Sequence, residues 1–572
     1  MYQPHLAPVA GSLALSALVA ALPLLTLFAL LGGARLRAHW AGLASLAVAV
    51  VVAVAGYRMP ARLALLSAGE GAAFGLFPIV WILVTAIWLY QLTVVTGRFE
   101  DLRQAFHLIS DDPRVQAMII AFCFGGLLEA LAGFGAPVAI TGVMLMAVGL
   151  PPLRAAVTVL VANTAPVAFG AIGIPIITAG GLTKIPYTEI GAYVGRQTPL
   201  LALLVPLLLV ALVDGRRGVR QTWPVALVCG AVFALAQFAS SNFLSVELTD
   251  IIASLAALAA VVVFLRLWQP RGGEQARAEL SAAHDPQAPD GPAGSAPAPG
   301  PAAAVGIRTR PAASGTTHAP QEAITGPRLF MAFLPYLVVI AVFSVANLVK
   351  PVQQALAATT ADIPWPGLDG QVLTVAGKVS STTVYHLSWL SSPGTLLLLS
   401  GLLVTAAYRI SPATAAREFG ATLVRLRWAV LTIAAVLALA YVMNLSGQTI
   451  TIGSWIAGTG AAFAFLSPVL GWLGTAVTGS DTSANALFAT LQQTAAAKAG
   501  LSPTLLVAAN TSGGVLGKMI SPQNLTIAAT AVGLAGRESD LLRGAVRWSL
   551  GLLLALCTLV YLQSGVLAGM LP

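Results

Sequence analysis

Long apolar blocks separated by short basic loops set the pattern of this chain. Uninterrupted apolar blocks run over residues 11–32, 40–57, 73–96, 198–213, 223–241, 250–268, 328–348, 391–408, 428–445 and 548–570. A helix that is apolar on every face belongs in a large core or in a membrane. Two further regions, about 115–180 and 451–535, are also apolar but are interrupted by Gly, Pro, Ser, Thr and Asn. A spanning helix needs about 20 apolar residues, so the pattern predicts about 12–14 crossings plus broken or re-entrant segments. The expected fold class is all-α, a polytopic transmembrane helical bundle with two repeats containing broken helices. The first block, Gly11 to Gly33, is too long for the apolar core of a leader and has no basic start, so it is expected to stay as a membrane helix.

Composition sharpens this picture. Apolar residues make up 57% of the 572 positions and charged residues only 9%, against about 25% charged in an ordinary soluble domain. That excludes a set of soluble domains. The formal net charge of +9 does not point to nucleic acid, because the basic residues sit in the short loops, where the positive-inside rule accounts for them. Arg35, Arg37, His39, Arg98, Arg103, Arg216, Arg217, Arg220, Arg409, Arg417, Arg425, Arg427, Arg537, Arg543 and Arg547 fall in the cytoplasm if the N-terminus is outside; Arg58 and Arg62 dissent. Cys123, Cys229 and Cys557 lie far apart in apolar stretches without metal-ligand spacing, and read as buried small hydrophobes. No metal or organic cofactor is expected.

One segment breaks the pattern. Residues 271–326 are dominated by Pro, Ala and Gly with almost no large apolar side chain, which predicts a disordered cytoplasmic linker. It divides a transmembrane half at 1–270 from one at 327–572. Residues 350–386 form a second polar excursion, outside, with Trp365 and Trp389 as candidate interface anchors.

The two irregular regions resemble each other. "FGGLLEALAGFGAPVAI" and "NTAPVAFGAIGIP" stand in the first, "LGWLGTAVTGSDTSANAL" and "NTSGGVLGKMISP" in the second. Asn163-Thr164 and Asn510-Thr511 are 347 positions apart, and the same offset brings Gly170 to Gly517 and Pro175 to Pro522. An offset of 346 brings Gly125 to Gly471 and Gly133 to Gly479. Interrupted helices at corresponding places in two halves point to a transporter's binding site, and the long chain between the repeats leaves room for an inverted arrangement, which the helix count does not establish.

Isolated charges fall at these motifs. Glu129 is the only charge between Arg114 and Arg154, Asp481 the only one between Arg427 and Lys498, and Lys518 the only one between Lys498 and Arg537. A charge at the bilayer centre costs at least ~2.5–3.5 kcal/mol. One reading is structural: Lys518 locks permanently to Asp481 or Glu129, or Glu129 reaches an interface. The functional reading has Lys518 attract an anionic substrate while Glu129 or Asp481 carries a proton. Glu129, between apolar neighbours, is expected to be the more desolvated, and Asp481 the more richly surrounded. Half-helices starting at Asn163 and Asn510 would aim free N–H groups at a carboxylate. Thr164, Ser480, Thr482, Ser483, Thr511 and Ser512 are candidates for a substrate hydroxyl or a cation, or for packing between helices.

"GFGAPVAI", "NTAPVAFGAIGIPI", "GRQTP", "SSNF", "GWLGTAVTGSDTSANALF" and "AANTSGGVLGKMISPQNLTIA" closely resemble the bacterial lactate permease family over nearly the whole chain, the 271–326 linker excepted. The resemblance implies proton symport of L-lactate, with D-lactate and glycolate, across the inner membrane. It also implies a fold with inverted repeats and re-entrant hairpins. The alternatives are a sodium-coupled or broader mono- or dicarboxylate carrier, a channel, and an intramembrane enzyme. Against an enzyme, neither HExxH nor GxSxG occurs.

Overall fold

The computed structural model describes residues 1–282 and 325–572, apart from Arg35, Leu108, Phe134 and Ala376. The first half opens with α1 (Leu13–Phe28), α2 (Ala38–Val51), α3 (Ala61–Phe74) and α4 (Trp81–Val95). Next come α5 (Arg98–His107), α6 (Pro113–Met118), α7 (Gly125–Ala132), α8 (Ala136–Ala147), α9 (Pro152–Ala162) and α10 (Gly170–Thr183). It closes with α11 (Tyr187–Val194), α12 (Thr198–Ala202), α13 (Val205–Phe243), α14 (Thr249–Leu267) and α15 (Gly273–Ala282). The second half opens with α16 (Gly326–Leu348), α17 (Lys350–Ala357), strands β1 (Ala361–Pro364) and β2 (Val384–Leu387), and α18 (Pro393–Ala407). The remaining helices are α19 (Pro412–Ser446), α20 (Gln448–Ile456), α21 (Ala462–Thr478), α22 (Asp481–Ala499), α23 (Pro503–Lys518), α24 (Pro522–Ala531) and α25 (Glu538–Gln563).

Among the described residues, nine helical segments are long and apolar enough to cross a membrane, or up to ten with the bent pair 152–162 and 167–183. One of the nine, Tyr187–Phe243, contains 57 residues. At 1.5 Å per residue it is far longer than a ~30 Å hydrocarbon core. Asp214 and Gly215 leave helical geometry in its middle, so it folds back as two passes. Shorter apolar helices at Pro137–Ala147, Pro393–Ala407 and Ala462–Thr478 complete the bundle. Large apolar side chains such as Leu18, Leu235, Val263 and Leu554 are more than half exposed. Such a belt would be untenable in water and is the natural boundary with lipid tails.

Several edges differ from the sequence reading. The block read as 428–445 belongs to a helix that begins at Pro412, because Arg417, Glu418, Arg425 and Arg427 continue it as good helix formers. The block read as 73–96 is helix on either side of a break at Phe77-Pro78, where Phe77 is extended. The all-α class holds, with one short addition after α17, where β1 and β2 pair antiparallel with Asp362 opposite His386. Trp365 is not a free interface anchor: it lies against Gly69 of α3 and edge-on to Tyr385. Trp389 is half exposed. Within the stretch read as linker, Gly273–Ala282 is helical and buries Ala276 and Leu280. The rest of that linker, residues 283–324, lies outside the described residues, as does Arg35.

The repeated motifs occupy helix–break–helix units. α7 and α8 meet at Gly135 and α21 and α22 at Gly479, both with positive φ, a geometry that glycine adopts without penalty. Downstream, α9 and α10 are separated by residues 163–169, and α23 and α24 by residues 519–521. Ala171, Ile172 and Gly173 are left-handed at the start of α10.

Candidate functional site

Glu129 stands one turn before the end of α7 and is 2% exposed. Its Oε1 accepts a hydrogen bond from Lys518 Nζ at 2.5 Å, and its Oε2 accepts one from Asn163 Nδ2 at 2.8 Å. Two glycines leave room for the carboxylate: a Cβ at Gly133 or Gly170 would lie 2.7 or 3.0 Å from Oε1. Both glycines belong to the repeated motifs, which gives them a packing reason. Lys518 ends α23, where a cation complements the helix dipole. Its Nζ also donates to the carbonyl of Gly133 at 3.0 Å. Its own carbonyl accepts from Ser521 Oγ and Asn524 Nδ2, each at 3.0 Å, so the break after α23 is held together. An ion pair between residues 389 positions apart thus joins the break of the first half to the break of the second.

Asp481 opens α22. Ser480 caps that helix, its Oγ accepting from Ser483 N at 3.3 Å. An acid in a first turn suits the positive helix end. Yet the carboxylate is 3% exposed and poorly bonded: Thr475 Oγ1 donates to Oδ1 at 3.5 Å, and Oδ2 has no partner among the described residues. Oδ1 faces Gly514 of α23, one turn from Lys518 on the same face. Thr482 and Ser483 are buried beside it.

The remaining candidates separate into other networks. Thr164 donates to the carbonyl of Val161 at 2.6 Å, bonding back onto its own helix. Asn510 Nδ2 and Thr511 Oγ1 both donate to Asn485 Oδ1 at 3.0 Å, and Gln492 Nε2 donates to Asn510 Oδ1 at 3.2 Å. Ser512 donates to Gln197 Oε1 at 2.7 Å. These three stand about two turns, roughly 9–12 Å, along α23 from Lys518.

Two expectations are corrected here. Neither Asn163 nor Asn510 begins a half-helix: Asn163 caps the C-terminal end of α9 and Asn510 lies inside α23. The helix N-termini at the site are those of α22, capped by Ser480, of α24, capped by Ser521, and of α10, at Gly170. The surroundings of the two acids are also reversed, since Glu129 is the one with full partners and Asp481 the one left short.

Glu70 and Asp250 are among the buried acids that escaped the sequence reading. Glu70 on α3 is 0% exposed with neither carboxylate oxygen bonded among the described residues. It is the only charge between Arg62 and Arg98, so the criterion that found Glu129 would have found it. Asp250 is 1% exposed in the first turn of α14. Gln237 Nε2 donates to Asp250 Oδ1 and to the carbonyl of Ala165, each at 3.2 Å. That carbonyl lies in the break after Asn163. Asp250 looked like a helix edge because Glu247 precedes it closely.

A lipid-facing bundle whose broken helices gather a buried cation and several buried acids is the build of a polytopic membrane transporter. The family described as L-lactate permease matches residues 16–567. The L-lactate permease of Bacillus subtilis (strain 168) is 43% identical over 589 residues, covering 99% of each chain. The glycolate permease GlcA of Escherichia coli (strain K12) is 41% identical over 100% of this chain and 99% of its own. The L-lactate permease of the same strain is 41% identical over 98% of each chain. The chain belongs to the L-lactate permease family.

Proposed function

We propose that this chain carries L-lactate, with D-lactate and glycolate, into a bacterial cell across the inner membrane by proton symport. The names of its relatives support L-lactate and glycolate. The Glu129–Lys518 pair supports the coupling, and it is the observation that carries the reading.

The mechanism follows from charge. A buried ion must keep a partner, because removing one member of a buried pair costs ~3–5 kcal/mol. Without substrate, Lys518 is balanced by Glu129. A proton arriving on Glu129 frees Lys518, and the carboxylate of lactate takes the vacated position. Empty carrier and carrier loaded with lactate plus proton then have the same charge, while lactate alone leaves an anion in excess. The cycle is thereby limited to the empty and doubly loaded states, with Asn163 steadying the Glu129 carboxyl. The Ser480–Ser483 turn of α22 offers hydroxyl groups and helix-end N–H groups to the 2-hydroxyl. One broken-helix unit moves against the other to change access. Asp481 is a second place for the proton.

Purified carrier in proteoliposomes, driven by an imposed pH gradient, tests this. Accumulation of labelled lactate, unchanged by removing sodium, is the expected result. In Glu129→Gln, lactate counterflow persists while gradient-driven accumulation is lost. Sodium dependence, or full accumulation by Glu129→Gln, would overturn the coupling.

A further inference from the structure

A second charged site lies far from the broken helices. Where the fold-back of α13 meets the end of α14, a cavity of about 730 Å³ is lined by Arg216, Arg217, Arg220, Arg271, Trp223 and Trp268. It sits at the arginine-rich end of the bundle, which the positive-inside rule assigns to the cytoplasm.

Its charge is unbalanced. Asp112, Asp214 and Glu279 are already engaged. Arg114, wholly buried, pairs with Asp112 at 2.7 Å and Asp214 at 3.1 Å, and also donates to the backbone carbonyl of Arg271. Arg217 pairs with Asp214 at 2.7 Å and Glu279 at 2.5 Å. Arg216, Arg220 and Arg271 have no acid within ion-pair distance among the described residues, and all three are exposed. The floor is therefore rigid while three guanidinium groups stay available. Trp223 is 51% exposed and Trp268 packs on Phe264 at the C-terminal end of α14. Tryptophan favours the headgroup level of a bilayer. The cavity thus opens where an apolar belt meets water, with planar donors suited to phosphate oxygens.

We propose that this cavity binds the phosphate headgroup of an anionic phospholipid of the inner leaflet. The arginines hold the phosphodiester, the tryptophans flank the glycerol backbone, and the acyl chains run down the lipid-facing sides of α13 and α14. Basic pockets between membrane helices on this side suit such headgroups. A bound lipid would tie the fold-back of α13 to α15, which Glu279 already joins to Arg217.

The test uses the full chain, delipidated in detergent, with phosphatidylglycerol or phosphatidylcholine added and retention read by native mass spectrometry. Expected is selective retention of phosphatidylglycerol, weakened on the order of 100-fold in Arg216→Gln/Arg220→Gln/Arg271→Gln, from about a tenfold loss or less per arginine. If the triple variant does not fold, Arg220→Gln and Trp223→Ala are measured singly, each expected to weaken retention. Equal retention of both lipids, retention untouched by the variants, or equal competition by inorganic phosphate at matched concentration would each overturn the lipid assignment.

Discussion

Glu129 and Lys518 make each other's burial tolerable, and that interdependence gives the sharpest residue-scale expectation. Lys518→Ala leaves Glu129 without its cation and should cost ~3–5 kcal/mol, while Glu129→Gln/Lys518→Ala should recover much of that loss because no lone charge remains. Thermal unfolding in detergent measures both; a double variant no more stable than the single would separate the two residues energetically. Transport distinguishes the acids. Asp481→Asn keeps the shape of a side chain whose Oδ2 has no partner among the described residues, so lactate addition should still acidify the vesicle interior. Glu129→Gln should abolish that signal, and the opposite pattern would move the proton to Asp481. The three isolated charges were legible in the sequence because a membrane makes any solitary charge conspicuous. That Lys518 could pair with one of the two acids was legible as well; which acid it takes was not, since that depends on a contact across 389 positions. The assignment of Asn163 and Asn510 to equal roles failed for the same reason: identical dipeptides sit at a helix end in one half and inside a helix in the other.

At the scale of elements, α21 and α23 touch through backbone. A Cβ at Gly471, Gly513 or Gly517 would meet the carbonyl oxygen of Asn510, Pro468 or Trp472, respectively. Small residues let membrane helices approach this closely, and the approach here fixes Lys518 and Gly514 against the α22 terminus. Gly513→Ala should therefore destabilise by about 1–3 kcal/mol, the usual cost of overpacking. Gly551→Ala in α25, with nothing among the described residues within 4 Å of its Cβ, should instead stabilise by roughly 0.5–1 kcal/mol. Unfolding of the two variants side by side checks both signs. The glycines in "NTSGGVLGKM" suggested an interruption, yet α23 runs unbroken through them to Lys518. Tight packing compensates for poor helix propensity, and packing partners are invisible to a local reading. The interruption expected within 451–535 falls at Gly479, where the polar cluster "GSDTS" ends one helix and Ser480 caps the next.

At the scale of the whole molecule, the arginine loops set an orientation on which the entry route for substrate and the lipid cavity both depend. Arg62, which dissents from the rule, lies against Gly367 of the outer excursion, so a local contact accounts for its position. The excursion and the loop before α19 stand at opposite ends of α18, a single apolar helix of 15 residues. That geometry makes sidedness measurable with one thiol at a time. Cys123, Cys229 and Cys557 are all buried, which leaves a low background for a membrane-impermeant maleimide. Lys378 and Ser411 are both exposed. Lys378→Cys should label in intact cells, and Ser411→Cys only after permeabilisation. The reverse result would turn the bundle over, place the arginine cavity outside, and require the proton to enter the Glu129–Lys518 pair from the end now assigned to the cytoplasm.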